Sequence, residues 1–402
     1  MTEENSQKQI QQLRIIFITH YAELYGANRS LLDLINGLSK FGLNDALLIA
    51  PKKGDLLSEA AKYNIACRVI PFVNETHKVY QKPSLAKAKA KKIYNRIITI
   101  LYSRSLKQKN KKLIIHSNSS ATLIGYNFSR LLKAPHVWHI REFGLQDYNF
   151  EYNFNYDYFQ ACLSKAHTAI AISKAVYEKR VANCSASNKT IIYNGVIFKD
   201  ELQKNKTTIS TQNNNASAVF TFGIIGLISK EKNQLDAIEA LRFLKSENKN
   251  VQLLIAGNYA DGDYFTFLNK KIEDYNLQQN AQFLGFLKNT NGFYNKINCL
   301  LICSKHEAFG RVTIEAMSYG IPVIGFNNAG TAEIIQDKYN GLLYYNGASE
   351  LAEKMNVIIS NKEVLKNLQL NALQTVEKNF TIDSYAQAVL NVYLNALQNY
   401  SA

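Results

Sequence analysis

Two series of short aliphatic runs, each followed by a helix-like segment, constrain this chain more than any other feature. The first series comprises 13–20, 45–50, 67–72, 113–117, 135–142, 168–173 and 190–196. The second comprises 219–226, 251–257, 281–286, 298–303, 321–326 and 341–345. Runs this short and this aliphatic suit strands buried on both faces of a parallel sheet, with the segments between them as helical crossovers. Helices are expected at 29–39, with Leu31, Leu34, Ile35 and Leu38 on one face, and at 56–62 and 120–132. In the second series they start near Lys232, Asp263, Asn291, Arg311 and Thr331, and 349–398 reads as wholly helical. A chain of 402 residues exceeds one ordinary core, so two domains of roughly 150–200 residues are expected. Between the series, 198–217 shifts to Lys, Gln, Asn, Thr and Ser, which is linker chemistry with little apolar area to bury. The expected organisation is a domain at 1–197, a linker at 198–217, a second domain at 218–378 and a C-terminal helix in 379–402. Two such α/β halves on a joint form a deep cleft between the carboxyl ends of their strands, where ligands bind in doubly wound folds.

The net charge of +15 calls for an anionic partner or surface. Between Ser84 and Lys112 stand ten Lys/Arg and no Asp/Glu: Lys87, Lys89, Lys91, Lys92, Arg96, Arg104, Lys107, Lys109, Lys111 and Lys112. Ile93, Ile97, Ile98, Ile100 and Leu101 add a partial apolar stripe. A basic amphipathic helix of this kind suits anionic lipid headgroups; a solvated helix face leaves the same pattern. The aromatics of the segment are not arranged as a stacking platform, so nucleic acid is not expected as a partner. No apolar run reaches the ~18–20 residues of a membrane span, and the polar N-terminus has no signal-peptide core. The five cysteines, at 67, 162, 184, 299 and 303, include no C-x-x-C pair and fall mostly in apolar patterns. They read as reduced core thiols of a cytoplasmic chain, one that could sit peripherally on the inner face of the plasma membrane.

The chemistry concentrates at Ser304–Glu315, directly after the run 298–303. Gly310 falls where strand would turn into helix, so the amides of Arg311 and Val312 would point out of a helix N-terminus. Such an end suits a phosphate or a sugar oxygen. Glu307 sits just before that helix and Glu315 on its second turn, which brackets one pocket rim with two carboxylates. In the first series, the run 135–142 delivers His139, Arg141 and Glu142 to its carboxyl end, and Gly26 lies in the loop after the first run.

Glu307-x7-Glu315, inside Glu-Ala-Phe-Gly-Arg-Val-Thr-Ile-Glu-Ala-Met and followed by Gly320-Ile-Pro-Val-Ile, resembles the signature of the group 1, family 4 retaining glycosyltransferases. Further matches at family spacing are Gly223-Ile-Ile-Gly-Leu-Ile-Ser-Lys-Glu-Lys232, Leu254-Ile-Ala-Gly257, Phe283-Leu-Gly285 and Gly330-Thr-Ala-Glu-Ile-Ile335, with Gly26 and Ile192-Tyr-Asn-Gly-Val196 in the first half. The resemblance covers nearly the whole chain. It implies the GT-B fold, two Rossmann-like domains facing a deep cleft, with 1–197 binding the acceptor, 218–378 the nucleotide sugar, and the C-terminal helix packing back on the first domain. It implies transfer of a sugar from a nucleotide-diphosphate sugar to a hydroxyl of a glycan or lipid-linked acceptor, with retention and without a metal, as in bacterial surface-polysaccharide or glycolipid synthesis. By the same resemblance Glu315 binds the ribose hydroxyls and Glu307 faces the donor sugar. The amides of Phe309 and Gly310 meet sugar oxygens, those of Arg311 and Val312 the diphosphate, and Lys232 neutralises the leaving diphosphate, with Gly26 contributing from the first domain.

The sequence departs from the family pattern at Leu227, where an arginine usually precedes the lysine. Lys230 or Arg311 could supply the missing charge, or backbone amides could hold the diphosphate. A histidine near the donor sugar is usual in the first domain; either His139 or Arg141 could fill that position. A buried core histidine and an Arg141–Glu142 ion pair are the structural alternatives. The triplet Asp261-Gly-Asp263 holds metal in another glycosyltransferase fold; here Asp263 is expected to cap a helix. Two other readings stay open: a nucleotide-sugar epimerase on the same fold, and a degenerate, non-catalytic homologue that binds a glycan or a partner, which Leu227 would favour.

Overall fold

The computed structural model describes residues 9–211, 219–259 and 261–398. It forms two compact units: the chain up to Gly195 together with the segment from Ile382 onward, and Val196–Thr381.

The first unit holds a seven-stranded sheet in the order β3-β2-β1-β5-β6-β8-β9. Its strands are β1 (Leu13–Ile18), β2 (Ala46–Ala50), β3 (Ala66–Val69), β5 (Lys112–Ser117), β6 (His136–Ile140), β8 (Thr168–Ala171) and β9 (Asn188–Ile191), and every pair is parallel. Successive side chains of a strand point to opposite faces, and β1 shows the result. Ile15 and Phe17 join one core with the Gly26–Lys40 and Ile382–Gln398 helices, while Ile16 and Ile18 join a second core with the Leu85–Leu106 and Ile124–Leu132 helices. The Gly26–Lys40 helix buries Leu31, Leu34, Ile35 and Leu38, the expected face. It crosses the Ile382–Gln398 helix at Gly37, where a Cβ would lie 2.7 Å from Ala386 Cβ.

The second unit holds a six-stranded parallel sheet in the order β12-β11-β10-β13-β14-β15. Its strands are β10 (Phe220–Ile225), β11 (Val251–Ala256), β12 (Ala281–Gly285), β13 (Cys299–Ile302), β14 (Val323–Phe326) and β15 (Leu342–Tyr344). Two neighbouring strands run into glycines with positive φ, Gly226 and Gly257. A Cβ on Gly257 would stand 1.8 Å from the Gly226 carbonyl oxygen, so the strand ends approach as closely as backbone allows. In each sheet the order reverses direction once, between β1 and β5 and between β10 and β13. Loops leave in opposite directions at such a point and open a crevice at the carboxyl ends of the two strands.

Two sequence expectations need correction, the linker at 199–211 and the cap at Asp263. Residues 199–211, assigned to a linker, form the helix Lys199–Thr211 within the second unit. Leu202 is fully buried, Asn205 Nδ2 donates to the Ser318 carbonyl (3.1 Å), and Gln203 and Lys206 both reach Glu377 (2.6 Å each). Polar side chains anchor this helix where apolar area is scarce; the Asn-rich centre at 212–215 lies outside the described residues. The segment 148–158 carries β7 (Phe150–Tyr152), which pairs antiparallel with β4 (Thr76–Lys78), and then enters the Tyr156–Leu163 helix. Asp261, not Asp263, caps the Gly262–Asp274 helix, accepting from the Asp263 amide at 2.9 Å. The stretch 349–398, expected to be wholly helical, forms three successive helices, Ala348–Ser360, Lys362–Asn379 and Ile382–Gln398.

Glu75 is a buried carboxyl in the first unit, 3% exposed, whose Oε2 accepts from the Leu123 amide (2.7 Å). Burial pushes it up to about 7, against which the Leu123 hydrogen bond acts. Because its folded value lies above its ordinary value of 4.5, the unfolded chain ionises first as pH rises. Stability therefore falls from about pH 4.5 to 7 and stays reduced above that. Glu75→Gln removes this cost. Denaturation curves should show the variant more stable than wild type by about 1–3 kcal/mol at pH 8, with the gain vanishing at pH 4.

Candidate active site

At the switch point of the second sheet, the loops after β10 and β13 face each other. The first, Gly226–Asn233, is held from beneath by Gln234, which is fully buried. Its Nε2 donates to the Leu227 carbonyl (3.0 Å) and its Oε1 accepts from the Ser229 amide (3.3 Å). The second loop is tied to the first by Ser304 Oγ, which donates to the Glu231 carbonyl at 3.2 Å. It is braced from β14 by Asn328 Nδ2 on the Lys305 carbonyl (2.7 Å) and by the Gly330 amide on the Glu307 carbonyl (2.8 Å). A Cβ on Gly330 would lie 2.7 Å from Phe309 Cα, so this brace requires glycine.

The two loops bring Lys232 Nζ to 2.5 Å from Glu307 Oε2, with the lysine about one-third exposed. Gly310, at φ +93°, then turns the chain into the Arg311–Ser318 helix, whose first turn carries no acidic residue. Its first amides have no acceptor within the helix itself, which gives the N-terminus its affinity for anions. The Phe309 ring is buried and packs edge-on against Phe380 (6.2 Å). Val312 is half-buried on the first turn. Glu315, one turn further on, accepts from Arg311 Nε at 2.6 Å and from Tyr294 OH at 2.8 Å. Tyr294 is 2% exposed and stacks on Tyr319. Burial, with Glu315 beside it, raises its phenol well above the ordinary value, so it stays protonated and donates. The sequence motif carries no sign of Tyr294; only its aromatic neighbourhood just before β13 could have drawn attention to it.

Leu227 is 42% exposed at the loop's entry. Lys230, a candidate to replace the missing arginine, lines a recess with Asn233, Leu235, Asp263, Tyr264 and Phe267. Arg311, the other candidate, is engaged by Glu315. Among the described residues, no group of three or more His, Cys, Asp and Glu is arranged to hold a metal ion.

In the first unit, Gly26 opens its helix at the switch point beside β5, and the space over it is open, with nothing within 4 Å of a Cβ built there. Asn28 fixes the preceding loop, its Nδ2 donating to the carbonyls of Tyr21 (3.1 Å) and Glu23 (2.8 Å). Asn118 Nδ2, at the end of β5, donates to the Ala27 carbonyl (3.1 Å).

His139 and Arg141 do not line an open surface. His139 is fully buried, its ring edge-on to His116 (5.6 Å) and Tyr385 (6.2 Å). Burial first, and the Arg141 charge second, hold its pKa well below the ordinary value, so it is neutral. The Arg141 guanidinium donates to Asn118 Oδ1 (2.6 Å), Asn194 Oδ1 (2.7 Å) and Tyr385 OH (2.8 Å), and lies 3.3 Å from His139 Nδ1. Glu142 has other partners: Ser119 Oγ (3.0 Å), the Ser120 amide (2.6 Å) and Ser120 Oγ (2.6 Å) all donate to one of its oxygens. This geometry makes Arg141 a tie between three segments of the first unit, and His139 a core residue beside it.

Residues 205–375 match the family model described as glycosyl transferases group 1. A relative from Staphylococcus aureus, the capsular polysaccharide biosynthesis glycosyltransferase CapM, is 25% identical over 72% of this chain and 78% of its own. Among solved structures, HepE from Anabaena in complex with UDP and glucose covers 95% of this chain and 99% of its own at a TM-score of 0.75 and 21% identity. A mutant of S. aureus TarM in complex with fondaparinux, alpha-GlcNAc-glycerol and UDP covers 95% and 100% at a TM-score of 0.71 and 14% identity.

Proposed function

We propose that this chain, a group 1 glycosyltransferase with the GT-B fold, moves a sugar from a nucleotide-diphosphate donor to a hydroxyl of a glycan or lipid-linked acceptor, retaining the anomeric configuration and needing no metal. The observation that carries this reading is the meeting of Lys232 and Glu307 at the switch point of the second sheet, just ahead of the helix that Gly310 opens. As the bond between the anomeric carbon and the diphosphate oxygen breaks, that oxygen gains charge. Lys232 and the amides of Arg311 and Val312 are fixed where they neutralise it, favouring the transition state over the ground state. Glu307 grips a donor-sugar hydroxyl and offsets the positive charge growing on the anomeric carbon, while the amides of Phe309 and Gly310 meet sugar oxygens. Glu315 accepts from the ribose diol. The acceptor oxygen bonds to the anomeric carbon on the face the diphosphate leaves, and the departing phosphate oxygen takes the acceptor's proton. The UDP in HepE and TarM and the name of CapM support a nucleotide-sugar donor and a surface-polysaccharide role.

The test is thermal unfolding with UDP-, GDP- and ADP-sugars, with and without EDTA, on wild type and Glu315→Ala. A ligand that binds only the native state raises the melting temperature with the logarithm of its concentration over Kd. The expected result is a shift with one nucleotide family, insensitive to EDTA and lost in the variant. Leu227 is the observation that favours a non-catalytic reading; donor binding with no turnover on any acceptor would support that instead.

Tyr294→Phe removes the hydroxyl that orients Glu315 while keeping the ring stacked on Tyr319. A hydrogen bond to a charged group is worth about 1.5–3 kcal/mol, so the donor KM should rise roughly tenfold or more with kcat nearly unchanged. Steady-state kinetics against donor concentration checks this.

A further inference from the structure

We propose that the outer face of the Leu85–Leu106 helix is a docking surface for an anionic lipid bilayer, entering it to the depth of the headgroup boundary. The helix has the reverse polarity of an ordinary surface helix. Asn95, Thr99 and Ser103 share one side at 3.6 residues per turn, and that side is buried, with Ala88, Ile98 and Leu106. Its polar atoms find partners there. Asn95 accepts from the Val73 amide (3.0 Å) and donates to the Val73 carbonyl (2.9 Å), while Thr99 and Ser103 donate to carbonyls of their own helix (2.7 and 3.0 Å).

The opposite side carries Ile93, Ile97, Ile100 and Leu101, spaced i, i+4, i+7 and i+8. They are 58, 50, 63 and 68% exposed. Single exposed aliphatics need no explanation, but a continuous stripe of them marks an interaction surface. Lys89 and Arg96 flank the stripe on one side and Lys87 on the other, with Arg104 extending it, and all four are exposed. Exposed Lys107, Lys109 and Lys112 follow, and no acidic residue occurs from Ser84 to Lys112.

The charge selects the occupant. A second copy laid on this face would set one basic rim against another, and like charges juxtaposed oppose association. A nucleic acid would use the cations and leave four aliphatic side chains in water. An anionic bilayer takes both: acyl chains accept the stripe, headgroups accept the rim, and the long basic side chains reach outward from the apolar strip. No described helix is long and apolar enough to cross a membrane, so this is contact along the surface. The inference deepens the acceptor reading and rests on it for its purpose, since a lipid-linked acceptor would be met at the same surface, but its evidence is separate.

The test is flotation of the full chain with vesicles of phosphatidylcholine plus phosphatidylglycerol, and of phosphatidylcholine alone. Wild type, Ile97→Asp/Ile100→Asp and Lys89→Glu/Arg96→Glu are compared, with circular dichroism and light scattering on each. The expected result is flotation only with the anionic vesicles, reduced on the order of tenfold or more in both variants, with folding unchanged. Absence of flotation overturns the proposal. So does flotation that the isoleucine variant leaves intact, loss of a dimer in that variant, or displacement of the vesicles by DNA. Donor binding measured in parallel separates the two readings. Flotation without donor binding sinks the glycosyl-transfer reading alone; donor binding without flotation sinks the docking surface alone.

Discussion

Glu307→Gln is expected to lower turnover by roughly 10²–10³-fold, the loss typical when one fixed electrostatic partner of a transition state is removed. Glutamine keeps the shape and can still accept a hydrogen bond from a sugar hydroxyl, so ground-state binding of the donor is largely kept. The negative charge facing the anomeric carbon is lost, along with the 2.5 Å partner that holds Lys232 in place. Transition-state stabilisation therefore falls more than donor affinity does. Initial rates together with donor titration calorimetry separate these quantities. A large fall in kcat with Kd changed only a few-fold is the expected pattern, whereas equal losses in both would make Glu307 a simple binding group.

Arg141→Met should destabilise the first unit by about 3–5 kcal/mol, the cost of breaking a buried charged network on one side. The substitution removes the guanidinium donor from the side-chain oxygens of Asn118, Asn194 and Tyr385, all of which receive its hydrogen bonds between 2.6 and 2.8 Å. Arg141→Lys should recover little, because an ammonium cannot reproduce the planar fork that serves several acceptors at once. Urea denaturation of the variants checks the stability. Donor affinity checks the role: a positioning tie lowers the unfolding midpoint, while a donor ligand would weaken binding with the midpoint unchanged.

Much of the fold was legible because its strands are buried on both faces, which leaves uninterrupted aliphatic runs such as those of β1, β10 and β13. The motif around Glu307 and Glu315 was legible for a different reason: loop, glycine and helix start are contiguous, so chemistry and geometry share one stretch of chain. What joins distant segments was not. Tyr294 reaches Glu315 from 21 residues upstream, and Tyr385 reaches Arg141 across 244. Neither pairing leaves a local pattern. The helix at 199–211 was missed because its anchors are Gln203, Asn205 and Lys206, residues that composition reads as solvated. The three-residue strands β4 and β7 are too short for alternation to register. In the basic helix the apolar pattern was visible, but its direction was not. Periodicity gave Ile98 and its neighbours one stripe; packing turned Ile98 inward with the polar side chains and left Ile93, Ile97, Ile100 and Leu101 outside.

The measurement that bears most directly on the proposed reaction is the proton NMR spectrum of the product. It would be formed from an α-configured nucleotide sugar and a hydroxyl acceptor by EDTA-dialysed enzyme. The expected outcome is nucleotide release that requires the acceptor, with an α-linked anomeric proton in the product and an unchanged rate without metal. A β-linked product, dependence on a divalent ion, or conversion of the donor sugar with no acceptor present would contradict it.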